Sequence, residues 1–155
     1  MSIGIKPLLD YKKLDAISQK YAAEYESASP FPHIVLDDFI DSELVQQLIK
    51  KFPALKEKPG QTPEAVMTDT GKHPQPNKLW LSNQIGVAPI FRQLYWELNS
   101  APFINFLENL TGIKNLLPDP HMAGGGVHQI KRDGLLMVHA DFNKHPQFQL
   151  DRRLN

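Results

Sequence analysis

The feature that most constrains the fold lies late in the sequence, where two short apolar runs are separated by a glycine-containing turn. Residues 124–143 read GGGVHQIKRDGLLMVHADFN. An Asp-Gly pair between two such runs is a strong indication of a β-hairpin, so residues 127–131 and 135–138 are predicted to be neighbouring strands. The second run ends in His139 and Asp141. Because residues two apart on a strand project from the same face, an imidazole and a carboxylate are expected side by side.

The first two thirds of the chain carry helical rather than strand periodicity. Apolar residues at helical spacing predict four helices, over residues 9–26, 42–52, 87–98 and 100–112. Three further segments lie between them: a predicted short strand at 33–39, a long proline-rich loop at 54–79 of the kind that often covers a site, and a brief strand at 79–81. Helices first and antiparallel strands later predict an α+β fold.

Composition limits the classes of function. A chain of 155 residues is long enough for one domain with its own core. Seventeen acidic and 17 basic residues balance to a net charge of zero, so no nucleic-acid partner is expected. The sequence has no cysteine, which excludes disulfides, thiolate zinc sites and a cysteine nucleophile. Neither a signal peptide nor a membrane-spanning apolar run is visible, so a cytoplasmic protein without membrane partners is expected.

The His139–Asp141 pair has several possible meanings from the residues alone. An imidazole and a carboxylate are two of the three ligands in the two-histidine-one-carboxylate triad that holds non-haem Fe(II). The same two residues could equally form a surface hydrogen bond. His145 and His128 are candidates for a third ligand, and a hydrolytic zinc site built from His139, Asp141 and His145 is a further alternative.

The surrounding pattern is more specific than the pair. Residues 101–155 resemble the 2-oxoglutarate- and Fe(II)-dependent oxygenase superfamily, in its prolyl-4-hydroxylase-like branch. The resemblance is carried by residues 103–113, 124–129, 134–143 and 150–155, together with 32–39. It implies one oxygenase domain in which residues 1–121 are a mainly helical support and residues 122–155 form the first strands of a double-stranded β-helix, or jelly roll.

The resemblance also implies a chemistry. His139 and Asp141 would be the first two iron ligands. Many relatives bind 2-oxoglutarate through a tyrosine on the neighbouring strand, and here Gln129 or Lys131 would take that place. The implied cofactors are Fe(II), 2-oxoglutarate as cosubstrate and, as a further candidate, ascorbate. The implied reaction hydroxylates an unactivated C–H bond of a peptide or small-molecule substrate while 2-oxoglutarate becomes succinate and carbon dioxide.

The sequence departs from the family pattern in one respect. The family's distal histidine and the arginine that binds 2-oxoglutarate are expected downstream of Asn155, so the sequence is expected to be a truncated form that is inactive as it stands. Arg152 and Arg153 precede the position of that arginine and receive no such role. The alternative is a non-catalytic binding module, or pseudoenzyme, on the same fold.

Overall fold

The chain forms two compact units, of which one is helical and the other contains the strands. In the computed structural model the described residues are 6–54, 65–68, 71–74, 78–81, 86–123, 125–136 and 138–154; the side chains of the segments 65–68 and 71–74 and of Trp80 lie outside this description. The helical unit comprises Met1–Phe52 and Ala88–Pro120, and the strand unit comprises Pro53–Val87 and His121–Asn155. Both units are therefore assembled from two separate stretches of the sequence.

Within the described residues, the helical unit contains four helices near the predicted positions. They are α1 (Tyr11–Ser27), α2 (Ser42–Lys50), α3 (Pro89–Leu98) and α4 (Ala101–Thr111). The Asp10 carboxylate accepts hydrogen bonds from the backbone N–H groups of Lys12 and Lys13, at 3.0 and 3.1 Å, and so caps the start of α1. Gly112 ends α4 with φ +72°, a left-handed conformation that glycine adopts without strain. The four predicted helices are confirmed.

The core of the helical unit lies between α1 and α4. Leu14, Phe106 and Leu110 are its buried centre, with 2–4 % of each side chain exposed. Apolar residues spaced three and four apart fall on one face of each helix, which is why these two faces meet. Partly buried side chains complete the cluster: Tyr11, Ile17, Tyr21, Tyr25, Ile34, Leu36, Phe39, Phe103 and Leu107.

The strand predicted over residues 33–39 is wrong, although the segment does reach the core. Ile34, Leu36 and Phe39 pack against the cluster, and the Phe39 ring centroid lies 5.8 Å from that of Phe106. The residues form no ladder because the chain turns at Asp38, which has φ +52°. The apolar residues of this segment thus pack on helices rather than in a strand pair.

A buried carboxylate on α3 holds the backbone of residues 8 and 9. Glu97 is 9 % exposed, and its two oxygens accept the backbone N–H of Leu8 at 2.9 and 3.0 Å and that of Leu9 at 2.9 Å. The Gln93 amide donates to Glu97 Oε1 and to the carbonyl of Lys6, both at 2.9 Å. A carboxylate removed from water is costly unless donors surround it, and here the N-terminal backbone supplies them.

The strand unit contains two separate antiparallel pairs in its described residues. β1 (Ala65–Thr68) pairs with β2 (Gly71–Pro74), and β3 (Lys78–Leu81) pairs with β4 (Val127–Ile130). The brief strand predicted at 79–81 is confirmed, whereas the predicted loop over 54–79 is corrected, since β1 and β2 lie within it. Helices with small antiparallel sheets make the chain α+β, as predicted; within the described residues no jelly roll is seen.

The predicted hairpin is only half present. The turn exists: Asp133 has φ +60°, and the Gly134 N–H donates to the Lys131 carbonyl at 3.0 Å. The second predicted strand is absent. Residues 134–136 and 138–142 are not in a strand, and β4 pairs with β3 instead. Leu135, Leu136 and Val138 are 51, 41 and 101 % exposed, so this run buries no apolar face that would hold it in a sheet.

Candidate functional site

His139 and Asp141 are neighbours in the strand unit, although residues 138–142 do not form the predicted strand. The His139 Nε2 atom lies 3.5 Å from Asp141 Oδ1. This is longer than a good hydrogen bond, for which about 2.9–3.0 Å is usual. The His139 and Asp141 side chains are 21 and 40 % exposed, so the two groups lie in a partly open site rather than in a sealed core.

Arg152 is the third member of this arrangement, and no role was predicted for it from the sequence. Its Nη1 atom lies 3.3 Å from Asp141 Oδ2, so the guanidinium engages one carboxylate oxygen while the imidazole faces the other. The same guanidinium lies 4.5 Å from the centroid of the Phe142 ring, a cation–π contact. Asp141 therefore lies between His139 and Arg152 and contacts both of them.

A short turn-back of the chain brings Arg152 to Asp141. Residues 143–152, here called the Arg152 hairpin, are closed by two backbone hydrogen bonds. The Arg152 N–H donates to the Asn143 carbonyl at 2.7 Å, and the His145 N–H donates to the Leu150 carbonyl at 2.9 Å. Lys144 and Asp151 face each other in an antiparallel bridge, and their side chains form an ion pair at 2.7 Å. Lys144 lowers the pKa of Asp151, through a hydrogen bond and its charge.

His145 has a different task from the metal ligation proposed for it as an alternative. Its Nδ1 atom accepts the backbone N–H groups of Gln147 and Phe148, at 3.1 and 3.2 Å, and so caps the tip of the Arg152 hairpin. Its ring stacks on that of Phe148, with centroids 4.8 Å apart, and meets His121 at 6.4 Å. Among the residues that the structure describes, no three His, Cys, Asp or Glu side chains are placed to hold one metal ion. The third ligand is thus not supplied by His145 or His128.

The residues predicted to bind 2-oxoglutarate lie on or just after β4. Gln129 pairs with Leu79 in the ladder, Lys131 follows the strand, and both are exposed. Their role stays a prediction. His128, opposite Trp80, has a lowered pKa because of partial burial and the nearby Lys78 ammonium.

An open cavity of about 450 Å³ lies elsewhere, on the helical unit. Tyr11, Arg92, Trp96 and Glu97 are among its lining residues, which do not include His139 or Asp141. Trp96 is 64 % exposed.

Comparison with known proteins adds no relative to this picture: no family model, no curated protein and no solved structure matches the chain. None of the described helices has the length and apolar character needed to cross a bilayer. The resemblance to the oxygenase superfamily therefore stands on the sequence motifs alone.

Proposed function

We propose that this protein is an Fe(II)- and 2-oxoglutarate-dependent dioxygenase that hydroxylates a C–H bond, in the manner of prolyl hydroxylases. The observation that carries the proposal is the placement of His139 Nε2 and Asp141 Oδ1 at 3.5 Å from each other. The sequence motif supplies the remaining support for the proposal. The glycine turn, the His-X-Asp pair and the following Arg-Arg-Leu-Asn occur in the order typical of the family.

The two donor atoms fit a shared metal ion. Nitrogen and oxygen ligands lie about 2.0–2.2 Å from a first-row divalent metal, so one ion can touch both atoms across a gap of this length. Imidazole and carboxylate are also the donor types that non-haem Fe(II) takes in this class of enzyme. The pair would supply two of the three protein ligands, and partial exposure leaves room for a cosubstrate.

Each protein group has a separate task in the proposed site. The bound iron with 2-oxoglutarate would supply the oxidising chemistry. His139 would bind the iron through the neutral imidazole, and Asp141 would add the negative charge that favours a divalent ion. Gln129 or Lys131 would bind the cosubstrate's carboxylate. The small-molecule or peptide substrate would be oriented by residues beyond this group.

The decisive experiment measures Fe(II) binding by calorimetry without oxygen, then succinate formation from 2-oxoglutarate with oxygen. It uses the purified protein with any residues its gene encodes beyond Asn155. His139→Ala is expected to abolish both. His33→Ala is the matched control, because that histidine is exposed on the helical unit, with its ring Nδ1 2.8 Å from the Phe31 carbonyl. If the protein has no Fe(II) affinity that depends on His139 and Asp141, the assignment is rejected.

A second candidate function is a non-catalytic binding module. The observation that favours it is the Arg152–Asp141 contact at 3.3 Å, because a guanidinium can neutralise the carboxylate without any metal. In that case Asp141→Ala leaves the protein's ligand binding unchanged and no Fe(II) uptake is measured. The calorimetric experiment above separates the two functions.

A further inference from the structure

We infer that Arg152 is a positioning residue of the proposed metal site, acting through Asp141, and that the Arg152 hairpin exists to place it there. This inference rests on the proposed function, because it assigns Asp141 as a metal ligand. It goes further by naming the group that sets the direction of the ligand.

The two oxygens of Asp141 have different neighbours. Oδ2 lies 3.3 Å from Arg152 Nη1, whereas Oδ1 lies 3.5 Å from His139 Nε2. A carboxylate free to rotate about its side-chain bonds would exchange these positions. Engagement of Oδ2 by a cation keeps Oδ1 on the imidazole side, where a shared ion would lie. Hydrogen-bonded partners of this kind orient ligating carboxylates in many metal sites.

Arg152 is itself fixed from three directions. Its backbone N–H donates to the Asn143 carbonyl at 2.7 Å, its guanidinium lies over the Phe142 ring at 4.5 Å, and its Nη1 atom reaches Asp141. Its side chain is 25 % exposed. Anchoring of the backbone and stacking of the planar group reduce the rotamer entropy that an ion pair at a surface normally costs. The contact is therefore better ordered than an ordinary surface salt bridge.

The neighbouring arginine provides a natural comparison. Adjacent residues of an extended segment project to opposite sides, so Arg153 points away from the side that Arg152 uses. Arg153 is exposed and acts through its charge on Asp151, whose pKa it lowers less than Lys144 does. The two residues have the same chemistry and adjacent positions, yet only Arg152 contacts Asp141 in the pairs described above.

One physical effect opposes the inference. A guanidinium close to a metal site repels the incoming cation, so loss of Arg152 would strengthen metal binding if the charge effect were larger than the positioning effect. The guanidinium contacts Oδ2, whereas the shared ion would lie against Oδ1 beside His139, so positioning is expected to dominate. The sign of the change in affinity decides between the two effects.

The test uses Mn(II), which does not oxidise in air, as the metal probe. Its dissociation constant is measured by electron paramagnetic resonance of the free ion, in the protein with any residues its gene encodes beyond Asn155. Arg152→Ala is expected to weaken Mn(II) binding about 10- to 100-fold, the usual cost of losing a partner of a ligand. Arg153→Ala is the matched control, with no change expected. Arg152→Lys keeps the charge without the planar fork and should recover part of the loss.

Co(II) absorption provides a readout that a purely structural role would not move. If Arg152 sets the direction of the carboxylate, Arg152→Ala shifts the visible Co(II) bands, and Arg153→Ala does not. Circular dichroism verifies that each variant is folded, and Arg152→Lys carries the test if the alanine variant is not. Mn(II) affinity that is unchanged or higher in a folded variant overturns the inference and leaves the proposed function intact. Absence of Mn(II) binding in the unsubstituted protein overturns both.

Discussion

The carboxylate of Glu97 offers the sharpest test of how the helical unit is held together. It is 9 % exposed and accepts the N–H groups of Leu8 and Leu9, with a further hydrogen bond from Gln93. Glu97→Gln keeps the shape of the side chain but replaces one acceptor oxygen with a donor nitrogen. That nitrogen must face a backbone N–H, so at least one charge-assisted hydrogen bond is lost.

The magnitude follows from the number of bonds. A hydrogen bond to a charged group is worth about 1.5–3 kcal/mol. Since about 1.4 kcal/mol corresponds to tenfold in an equilibrium constant, opening of residues 6–9 should become roughly 10- to 150-fold more favourable in Glu97→Gln. Amide hydrogen exchange measures this directly, because the N–H groups of Leu8 and Leu9 exchange only when they leave the carboxylate.

The control is Glu26→Gln, which changes an exposed carboxylate on α1. Leu8 and Leu9 should exchange at the same rate in this variant as in the unsubstituted protein. Exchange in Glu97→Gln that is equally slow would refute the reasoning, since the start of the chain would then be held by something other than the buried carboxylate.

Two further predictions concern the core and the strand unit. Phe106→Ala should lower the free energy of unfolding by about 3–5 kcal/mol, whereas Val35→Ala at a highly exposed site should change it by less than about 0.5 kcal/mol, as measured by urea unfolding. Partial burial and Lys78 lower the pKa of His128 in the folded chain, so the unfolded chain binds the proton more readily. Stability is therefore expected to fall as the pH drops below about 6.5, and His128→Asn should flatten this dependence in unfolding curves.

The helices could be predicted because their apolar periodicity is local. α1 and α4 each carry apolar residues three and four apart, and the structure adds a side-chain cap at Asp10 and a left-handed Gly112 at the end of α4. The strands were harder, because strand pairing joins residues far apart in sequence. β4 was predicted to pair with the run after Gly134, but its partner is β3, and nothing in the local pattern distinguishes these choices.

Part of the candidate site could be predicted in the same local way. His139 and Asp141 were predicted to lie side by side on one strand face; they are 3.5 Å apart, although residues 138–142 do not form that strand. Arg152 could not be placed with them, because its position depends on the turn at 145–150 and on the cap that His145 provides. Glu97 was missed for another reason: a charged residue on a helix is usually solvated, and its partners lie 88 and 89 residues away.

The split of the helical unit between two stretches of sequence has a consequence for synthesis on the ribosome. Leu8 and its acceptor Glu97 are 89 residues apart, and α1 likewise waits for α4 to bury its apolar face. At about 5–20 residues per second, roughly 4–18 s separate the emergence of the two partners. During that interval the nascent α1 presents Leu14 and Tyr21 to water, which makes it a natural target for chaperones that bind exposed amphipathic segments.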